Sequence, residues 1–393
     1  MNRPRLLRDG AEAFPAMLAA IRGAKRFILM ETYIFASDPV GIRFARALAE
    51  RAAHGVEVSL MYDSLGSGRL SGEVSGILKA GGVRVVSYHP VRLSLHLWEW
   101  RQWGKRNHRK QLIVDGQVGF VGGINIHEEE MSWSAGGGGW RDTHLRIEGH
   151  PIVEMIRLFV AAWDSQKGAA LDPEIRHLEA AGHLLRRTGW RVAWAALRRR
   201  VALGGRNVAF REGHIEVIGS ATHSERSRIR RAYLYALRHA KRSVFLTSAY
   251  FVPDLRIQAA LRAAGRRGVL VSVLVAGAPD VLAVLLAGRA LYGRLLASGV
   301  RLYELRGRVL HAKTAVVDGA WCTVGSFNMD HRSWRYNLES NAVAVDERLG
   351  ASLEAAFRED LRAATPILPE AWSRRGVVER VGEFFFWLFR YWL

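Results

Sequence analysis

Short apolar runs alternate with amphipathic helical patterns along most of the chain. Phe27–Tyr33 and Val56–Leu60 are apolar runs, and Arg43–Ala53 between them has apolar positions at helical spacing. Leu255–Gly265 shows the same helical pattern in the second half. Strands that alternate with helices are typical of an α/β fold. We therefore expect mixed, mostly parallel sheets that are flanked by helices.

The chain also repeats its own order of segments. Residues 24–33 recur as residues 240–250, and each segment opens with Ala-Lys-Arg before an apolar run. Residues 80–84 recur in the same way as residues 297–301. Because the order is preserved, the halves are predicted to be duplicated domains of the same fold.

The duplication predicts four segments. Residues 1–166 form the first domain, and residues 213–370 form the second. The arginine-rich stretch 167–212 interrupts the pattern and is predicted to connect them. Residues 371–393 form an apolar C-terminal tail.

Each half contains one copy of the pattern His-x-Lys-x4-Asp. The residues of the two copies are His108, Lys110, Asp115, His311, Lys313 and Asp318. Roughly 0.01 chance matches to such a pattern are expected in a chain of this composition. Two copies at matching places in a duplication therefore indicate a functional site, whereas a single copy could equally cap a sheet edge.

A hairpin is predicted directly after each motif. Asp115–Gly116 is typical of a two-residue hairpin turn, which would pair Val114 with Gln117 and bring Asn125 to the face of His108. Counting residue pairs along the matching hairpin of the second half places four residues on one face, namely His311, Lys313, Ser326 and Asn328. Both motif aspartates are then interpreted chiefly as turn residues, with direct chemistry as the alternative.

This set of side chains suits a phosphodiester. Lysine and asparagine donate to the non-bridging oxygens, where negative charge must be held while phosphorus is attacked. One histidine can attack phosphorus while the other protonates the leaving alcohol. Two such sets facing each other across a pseudo-twofold axis would do both without a metal.

The two motifs resemble the HKD motifs of the phospholipase D superfamily, and the resemblance covers nearly the whole chain. It implies a phosphohistidine mechanism without metal or other cofactor, at an active site between the two domains. By motif position, His108 resembles the nucleophile and His311 the acid/base, although this order stays open. The residues that resemble the phosphate ligands are Lys110, Asn125, Lys313 and Asn328.

The resemblance also implies an acid that orients each histidine, 25–35 residues downstream of the motif. Glu339 matches this position in the second half, and Asp142 matches it in the first. A carboxylate on the far ring nitrogen would fix the tautomer and support the imidazolium. The alternative is an ordinary surface salt bridge.

Charge narrows the range of substrates. Lys and Arg number 57 against 37 Asp and Glu, which gives a net charge of +20. Such a chain attracts polyanions, either nucleic acid or an anionic membrane surface. A single cysteine excludes a disulfide framework and a cysteine-rich zinc site.

Three segments favour the membrane. Residues 94–106 insert three tryptophans among basic residues, although a nucleic-acid stacking platform would use the same types. Residues 190–201 have the spacing of a basic amphipathic helix, or of a core helix with a solvated arginine face. Residues 382–393 are mostly aromatic and apolar, which predicts an interfacial anchor or a helix docked on the core.

Within the superfamily, the chain most closely resembles bacterial cardiolipin synthases of the subgroup without N-terminal transmembrane helices. The match is carried by Glu31–Phe35, Gly122–Asn125 and Gly325–Asp330. It implies phosphatidyl transfer between two phosphatidylglycerol molecules, which gives cardiolipin and glycerol. It also implies a peripheral enzyme on the bacterial cell membrane, on the cytoplasmic side, that binds anionic phospholipid and no nucleic acid.

Other functions remain open at this stage. A phospholipase D hydrolase or another phosphatidyltransferase would use the same residues, and a nuclease would use the positive charge. A protein that only binds membrane or nucleic acid would not need two paired sets of histidine, lysine and asparagine. The sequence leaves open whether the second lipid is phosphatidylglycerol or phosphatidylethanolamine, and it leaves the oligomeric state open.

Overall fold

Two β-sheets, one from each half of the chain, lie at the centre of the computed structural model. It describes residues 4–90, 104–186, 214–220, 225 and 227–392. The predicted tryptophan insert and the predicted basic helix at 190–201 lie outside the described residues, apart from residues 104–106 of the insert.

The first half alternates strands and helices up to β4 and then continues as a meander. Its elements are β1 (Arg5–Arg8), α1 (Asp9–Gly23), β2 (Phe27–Thr32), α2 (Pro39–Ala53), β3 (Glu57–Asp63), α3 (Gly72–Ala80), β4 (Arg84–Tyr88), β5 (Gln111–Val114), β6 (Val118–Gly122), β7 (Thr143–Glu148), α4 (Pro151–Ser165) and α5 (Pro173–Arg186). Two short 3₁₀ turns, Glu128–Glu130 and Trp133–Ala135, precede β7.

The second half follows the same order. Its elements are β8 (His214–Gly219), α6 (Ser227–His239), β9 (Ser243–Ser248), α7 (Leu255–Arg266), β10 (Leu270–Ala276), α8 (Leu282–Leu296), β11 (Arg301–Leu305), β12 (Lys313–Val317), β13 (Trp321–Gly325), α9 (His331–Arg335), β14 (Ser340–Val345), α10 (Glu347–Arg362), β15 (Ala364–Ile367), α11 (Pro369–Ser373) and α12 (Val377–Leu388).

Both sheets are mixed, as predicted, but they are not mostly parallel. The strand orders are β1-β7-β6-β5-β2-β3-β4 and β15-β11-β10-β9-β12-β13-β14-β8. Only β2-β3-β4 and β9-β10-β11 are parallel, and the other pairings are antiparallel. The reason is that crossover helices join only these triplets, whereas β5-β6-β7 and β12-β13-β14 are meanders.

The predicted hairpin register is wrong by one residue. Val114 pairs with Val118 and not with Gln117, although the Gln117 amide donates to the Val114 carbonyl at 3.0 Å. The second half is shifted in the same way, because Val317 pairs with Trp321. An extra residue after the two-residue turn causes the shift, so the turn spans three residues.

The motif aspartates hold these turns to the preceding strand. Asp115 accepts the backbone amides of Lys25, Arg26 and Phe27 at 2.8–3.0 Å. Asp318 does the same for residues 241–243 at 2.7–3.2 Å. Both aspartates adopt a positive φ of 53°, a conformation that short polar side chains tolerate.

The two halves share one core. An apolar cluster joins Val121 and Leu145 of the first sheet to Val324 and Ala342 of the second. Backbone bridges Asn107–Leu338 and Arg141–Leu310 also join the halves. The interface between the domains is therefore buried, and it is extensive enough to fix their relative position.

The segments outside the two predicted domains also pack on them. Helix α5 falls within the predicted connecting segment and packs against α4 of the first half. Helix α12, in the predicted tail, packs against α8 of the second half. None of the described helices has the length and apolar composition needed to cross a bilayer. The exact domain boundaries stay a prediction.

The structure predicts that Asp115→Asn destabilises the fold. The amide can keep the bonds of Oδ1 but cannot accept the Lys25 amide, so the free energy of unfolding should fall by about 1–2 kcal/mol. Urea unfolding, followed by tryptophan fluorescence, measures the difference. An unchanged unfolding midpoint would contradict the role of this carboxylate in fastening the turn.

Candidate active site

The two histidines lie where the halves meet, just before β5 and β12. The backbone amide of His108 donates to the Leu338 carbonyl at 2.9 Å. The amide of His311 donates to the Arg141 carbonyl at 2.8 Å. Each histidine is thus bound to the main chain of the opposite half, which brings both motifs to one site.

Each histidine also receives its carboxylate from the opposite half. Nδ1 of His108 lies 3.1 Å from Oε2 of Glu339, and Nδ1 of His311 lies 2.6 Å from Oδ2 of Asp142. All four side chains are buried. Sequence reasoning selected both acids but not this exchange between halves. The contacts leave Nε2 of each ring as the nitrogen for a substrate.

The small residue after each hairpin fits its acid. A Cβ at position 123 would collide with the Asp142 carboxylate, so that position requires glycine. In the second half, the Ser326 hydroxyl instead donates to Glu339. The halves differ at two positions, Gly123 against Ser326 and Asp142 against Glu339. These differences go together, because the residue after the hairpin must fit the acid beside it.

The motif lysines lie beside the histidines and are buried. Nζ of Lys110 donates to the His108 carbonyl at 2.7 Å, and Nζ of Lys313 donates to the His311 carbonyl. Each ammonium group can still donate to an anion, because it carries three protons. The two lysines therefore provide positive charge from both halves.

The predicted asparagines lie in the loops after β6 and β13. Oδ1 of Asn125 accepts the Ile34 amide at 3.1 Å, while its buried Nδ2 has no partner among the described residues. Asn328 is buried, and its backbone amide donates to Ser333 at 3.2 Å. An unpartnered buried amide is costly, so Asn125 is suited to a ligand oxygen.

Asp115 and Asp318, which the motif placed among the catalytic candidates, are not brought into this site. They lie beyond the opposite ends of β5 and β12 from the histidines, and β5 alone extends about 13 Å. Their carboxylates contact backbone amides of residues 25–27 and 241–243. The turn interpretation agrees with this position.

Burial and positive charge keep the imidazoles neutral. Burial and the nearby Lys110 lower the pKa of His108 to about 4. Burial and Lys313 lower the pKa of His311 well below its ordinary value. Burial, followed by Lys313, also lowers the pKa of Lys110 to about 7. Burial is thus the main reason that charged forms are disfavoured here, and an anion bound to the lysines would favour their protonated forms.

The two acids differ electrostatically. Burial raises the pKa of Asp142 to about 7, although Lys313 opposes this change. Burial also acts to raise the pKa of Glu339, but His108 and Lys110 outweigh it and lower the pKa below its ordinary value. Glu339 is therefore ionised at neutral pH, whereas Asp142 and His311 are poised to share a proton.

Among the described residues, Glu130, Asp142 and His311 could hold a metal ion, since their ligand atoms all lie within 4.8 Å of one another. Two of these ligands already bond to each other, because Nδ1 of His311 lies 2.6 Å from Oδ2 of Asp142. The nearby Lys313 also disfavours a cation at this position.

Sequence reasoning missed several residues that line the site. Rings of Tyr33 and Trp140 contact His108 and His311, with centroids 5.0 and 5.3 Å apart. The Glu130 carboxylate lies 3.8 Å from Nδ1 of His311. Tyr33 ends one of the repeated segments, so comparing the two repeats could have identified it, whereas Trp140 and Glu130 belong to no repeat.

Comparison with known proteins gives the family. Residues 17–136 and 233–361 match the family described as "Cardiolipin synthase, PLD-like domain". A cardiolipin synthase of Listeria monocytogenes serotype 4a (strain HCC23) is 32% identical over 380 residues, covering 96% of this chain and 72% of the relative. One of Clostridium perfringens (strain SM101 / Type A) is 31% identical over 375 residues, covering 95% and 74%.

A solved structure shares the fold at low identity. Phosphatidylserine synthase of Haemophilus influenzae Rd KW20 superposes with a TM-score of 0.71 at 14% identity, covering 100% of this chain and 95% of that chain. Its likeness confirms the architecture of two duplicated domains. Together with the family match and the relatives, it shows that the chain belongs to the cardiolipin synthase family of phospholipase D-like enzymes.

Proposed function

We propose that the protein is a cardiolipin synthase that transfers a phosphatidyl group from one phosphatidylglycerol to a hydroxyl of another. The observation that carries this proposal is the pair of buried histidines, each with Nδ1 on a carboxylate of the opposite half. Two imidazoles with free Nε2 atoms provide both a nucleophile and a proton carrier. Family membership selects the phospholipid substrate.

In the first step, Nε2 of His108 attacks phosphorus and the bond from phosphorus to the glycerol oxygen breaks. Asp142 and His311 together hold one proton, so His311 carries a proton on Nε2 when Asp142 is protonated. His311 gives this Nε2 proton to the departing oxygen, which leaves as glycerol, and Nδ1 takes the proton of Asp142. Lys110 and Lys313 hold the charge on the non-bridging oxygens, and Asn125 donates from Nδ2. The phosphatidyl group is then bound to His108.

In the second step, a hydroxyl of another phosphatidylglycerol attacks the phosphorus. The hydroxyl proton passes to Nε2 of His311, and the bond between phosphorus and His108 breaks. Nδ1 of His311 returns its proton to Asp142, so the pair again holds one proton and the imidazole is neutral. Cardiolipin is released, and both histidines return to their starting states.

A membrane-facing surface supports a lipid substrate. On one side, α12 packs against α8 through Phe386, which contacts Val252 and Val284. The other side exposes apolar side chains, namely Val377, Val378, Val381, Phe384, Phe385, Leu388, Phe389 and Trp392. We infer that this face enters the interface of an anionic bilayer, to which the charge of +20 attracts the protein.

The first prediction concerns the products. Native protein on phosphatidylglycerol vesicles should form cardiolipin and glycerol, and His108→Ala or His311→Ala should each reduce the rate by about 10³-fold or more. Thin-layer separation of radiolabelled lipids measures both products. Phosphatidic acid as the main lipid product would contradict synthesis and support a hydrolase.

A substrate with a good leaving group distinguishes the proposed roles of the two histidines. With a nitrophenyl phosphatidyl ester, the departing oxygen needs no proton, so His311→Ala should retain a burst of nitrophenol. His108→Ala should give none, because no nucleophile remains. A burst from His108→Ala and none from His311→Ala would show that His311 is the nucleophile and His108 the proton donor.

The pH dependence follows from the buried site. A protonated imidazole cannot attack, so kcat/KM should fall on the acid side with a midpoint near pH 4, the pKa of His108. On the alkaline side it should fall near pH 7, where Lys110 loses its charge. The measurement uses a short-chain, monomeric phosphatidylglycerol. An acid limb at the ordinary histidine value of about 6.5 would contradict the burial of His108.

The proposed membrane contact of the apolar face of α12 can be tested by introducing charged side chains into that face. The double variant Phe385→Glu, Leu388→Glu should bind phosphatidylglycerol vesicles at least about tenfold more weakly in co-sedimentation, because two large apolar side chains no longer enter the interface. Leu270→Glu adds charge at an exposed residue of another element and should bind like native protein. A double variant that binds normally, or that only dissociates a native dimer, would refute this surface.

A further inference from the structure

A tyrosine and an aspartate lie beside the His311 half of the site and take no part in the steps above. Tyr250 follows β9, whose last residue Ser248 pairs with Lys313 of β12. The next residues, Phe251 and Val252, bond to Met329, which follows the predicted phosphate ligand Asn328. The backbone therefore fixes Tyr250 between the motif lysine and the asparagine loop.

Tyr250 is joined to an exposed carboxylate from a different loop. Its hydroxyl donates to Oδ2 of Asp280 at 2.5 Å. Burial and the Asp280 charge raise the pKa of Tyr250, so the phenol keeps its proton at every physiological pH. With that proton donated to Asp280, the phenolic oxygen and the remaining carboxylate oxygen present acceptors.

An acceptor pair is unexpected in a site built for an anion. Burial lowers the pKa of both His311 and Lys313, and the charge of Asp280 opposes this change in both. A carboxylate repels phosphate, so its contribution to binding must lie with the uncharged part of the substrate. Hydroxyl groups are the donors that a carboxylate and a phenolic oxygen accept without a further charge.

We propose that Tyr250 and Asp280 form the subsite for the alcohol, binding the hydroxyl groups of a glycerol headgroup next to His311. This inference rests on the proposed phosphatidyl transfer. The leaving glycerol and the attacking hydroxyl both exchange a proton with His311, so both occupy this subsite in turn. One hydroxyl faces His311, and its neighbour donates to Asp280.

The chemistry favours a neutral polyol over an ammonium group. An ethanolamine headgroup would bring a positive charge close to Lys313, which is buried and lies near Lys110. The repulsion from the two lysines opposes the attraction of this charge to Asp280. A glycerol headgroup brings two hydroxyl donors and no charge. The subsite therefore selects glycerol over ethanolamine as the alcohol that leaves or attacks.

The first half has a different arrangement at the matching place. The ring of Tyr33 lies edge-on to His108, and Nζ of Lys110 lies 5.2 Å from its centroid. Asp63, at the end of β3, is buried and bonds to the Asn107 amide and to Arg106. Among the described residues, the acceptor pair thus comes from the half that carries His311, and the charge of Asp280 also reaches Tyr33 beside His108.

The test is a competition between soluble alcohols. Protein in detergent micelles of phosphatidylglycerol receives equal concentrations of perdeuterated glycerol, 1-propanol and ethanolamine, and mass spectrometry counts the three phosphatidyl products. Native protein should prefer glycerol. Asp280→Asn and Tyr250→Phe should each lower the ratio of glycerol product to propanol product by about tenfold, because hydroxyl bonds to the pair are lost.

The control is Glu50→Gln, which removes an exposed charge near the C-terminal end of α2 and should leave the ratio unchanged. Continued propanol transfer by the variants shows that they are folded. An unchanged ratio in both variants, or a native preference for ethanolamine, would overturn the inference while the proposed function stands. Native protein that forms cardiolipin but none of the three products would overturn the inference alone, and protein that forms neither would overturn both.

Discussion

The exchange of carboxylates between the halves is the interaction on which the rest of the site depends. Glu339 orients His108, and Asp142 orients His311, so neither domain contains a complete set of catalytic groups. Backbone bridges at Asn107 and at Arg141 hold the exchanged segments in place. Because a buried imidazole without its carboxylate would lose its orientation, docking of the domains and assembly of the site are one event.

The same interface concentrates charge that is incompletely balanced. Burial lowers the pKa of both Lys110 and Lys313, and the charge of Lys313 lowers that of Lys110 further. In the proposed reaction, a phosphodiester anion next to the two lysines would favour their protonated forms. Binding energy and catalytic charge stabilisation then come from the same two groups, which is the usual economy of a preorganised site.

The sequence predicted the parts of this site that local motifs encode, and it did not predict the parts that depend on the docking of the two domains. The histidines and lysines were recognisable because the duplication displays each of them twice at fixed spacing. The acids Asp142 and Glu339 lie at unequal distances from their motifs, and only the resemblance to the superfamily pointed to them. The hairpin register failed because the residue after Asp115–Gly116 joins the turn, which the dipeptide alone does not reveal. The exchange of Glu339 and Asp142 depends on how two domains dock, and no local pattern encodes that.

Duplication would make the halves alike, but the chemistry needs them to differ. Asp142 requires glycine at position 123, whereas Glu339 is held by a serine hydroxyl, and only Asp142 has its pKa raised to about 7. In the proposed mechanism, the nucleophile His108 is oriented by a permanently ionised partner, whereas the proton carrier His311 has a partner that can itself hold the proton. The coupled Gly/Asp and Ser/Glu choices would then give the two duplicated half-sites different roles without altering either motif.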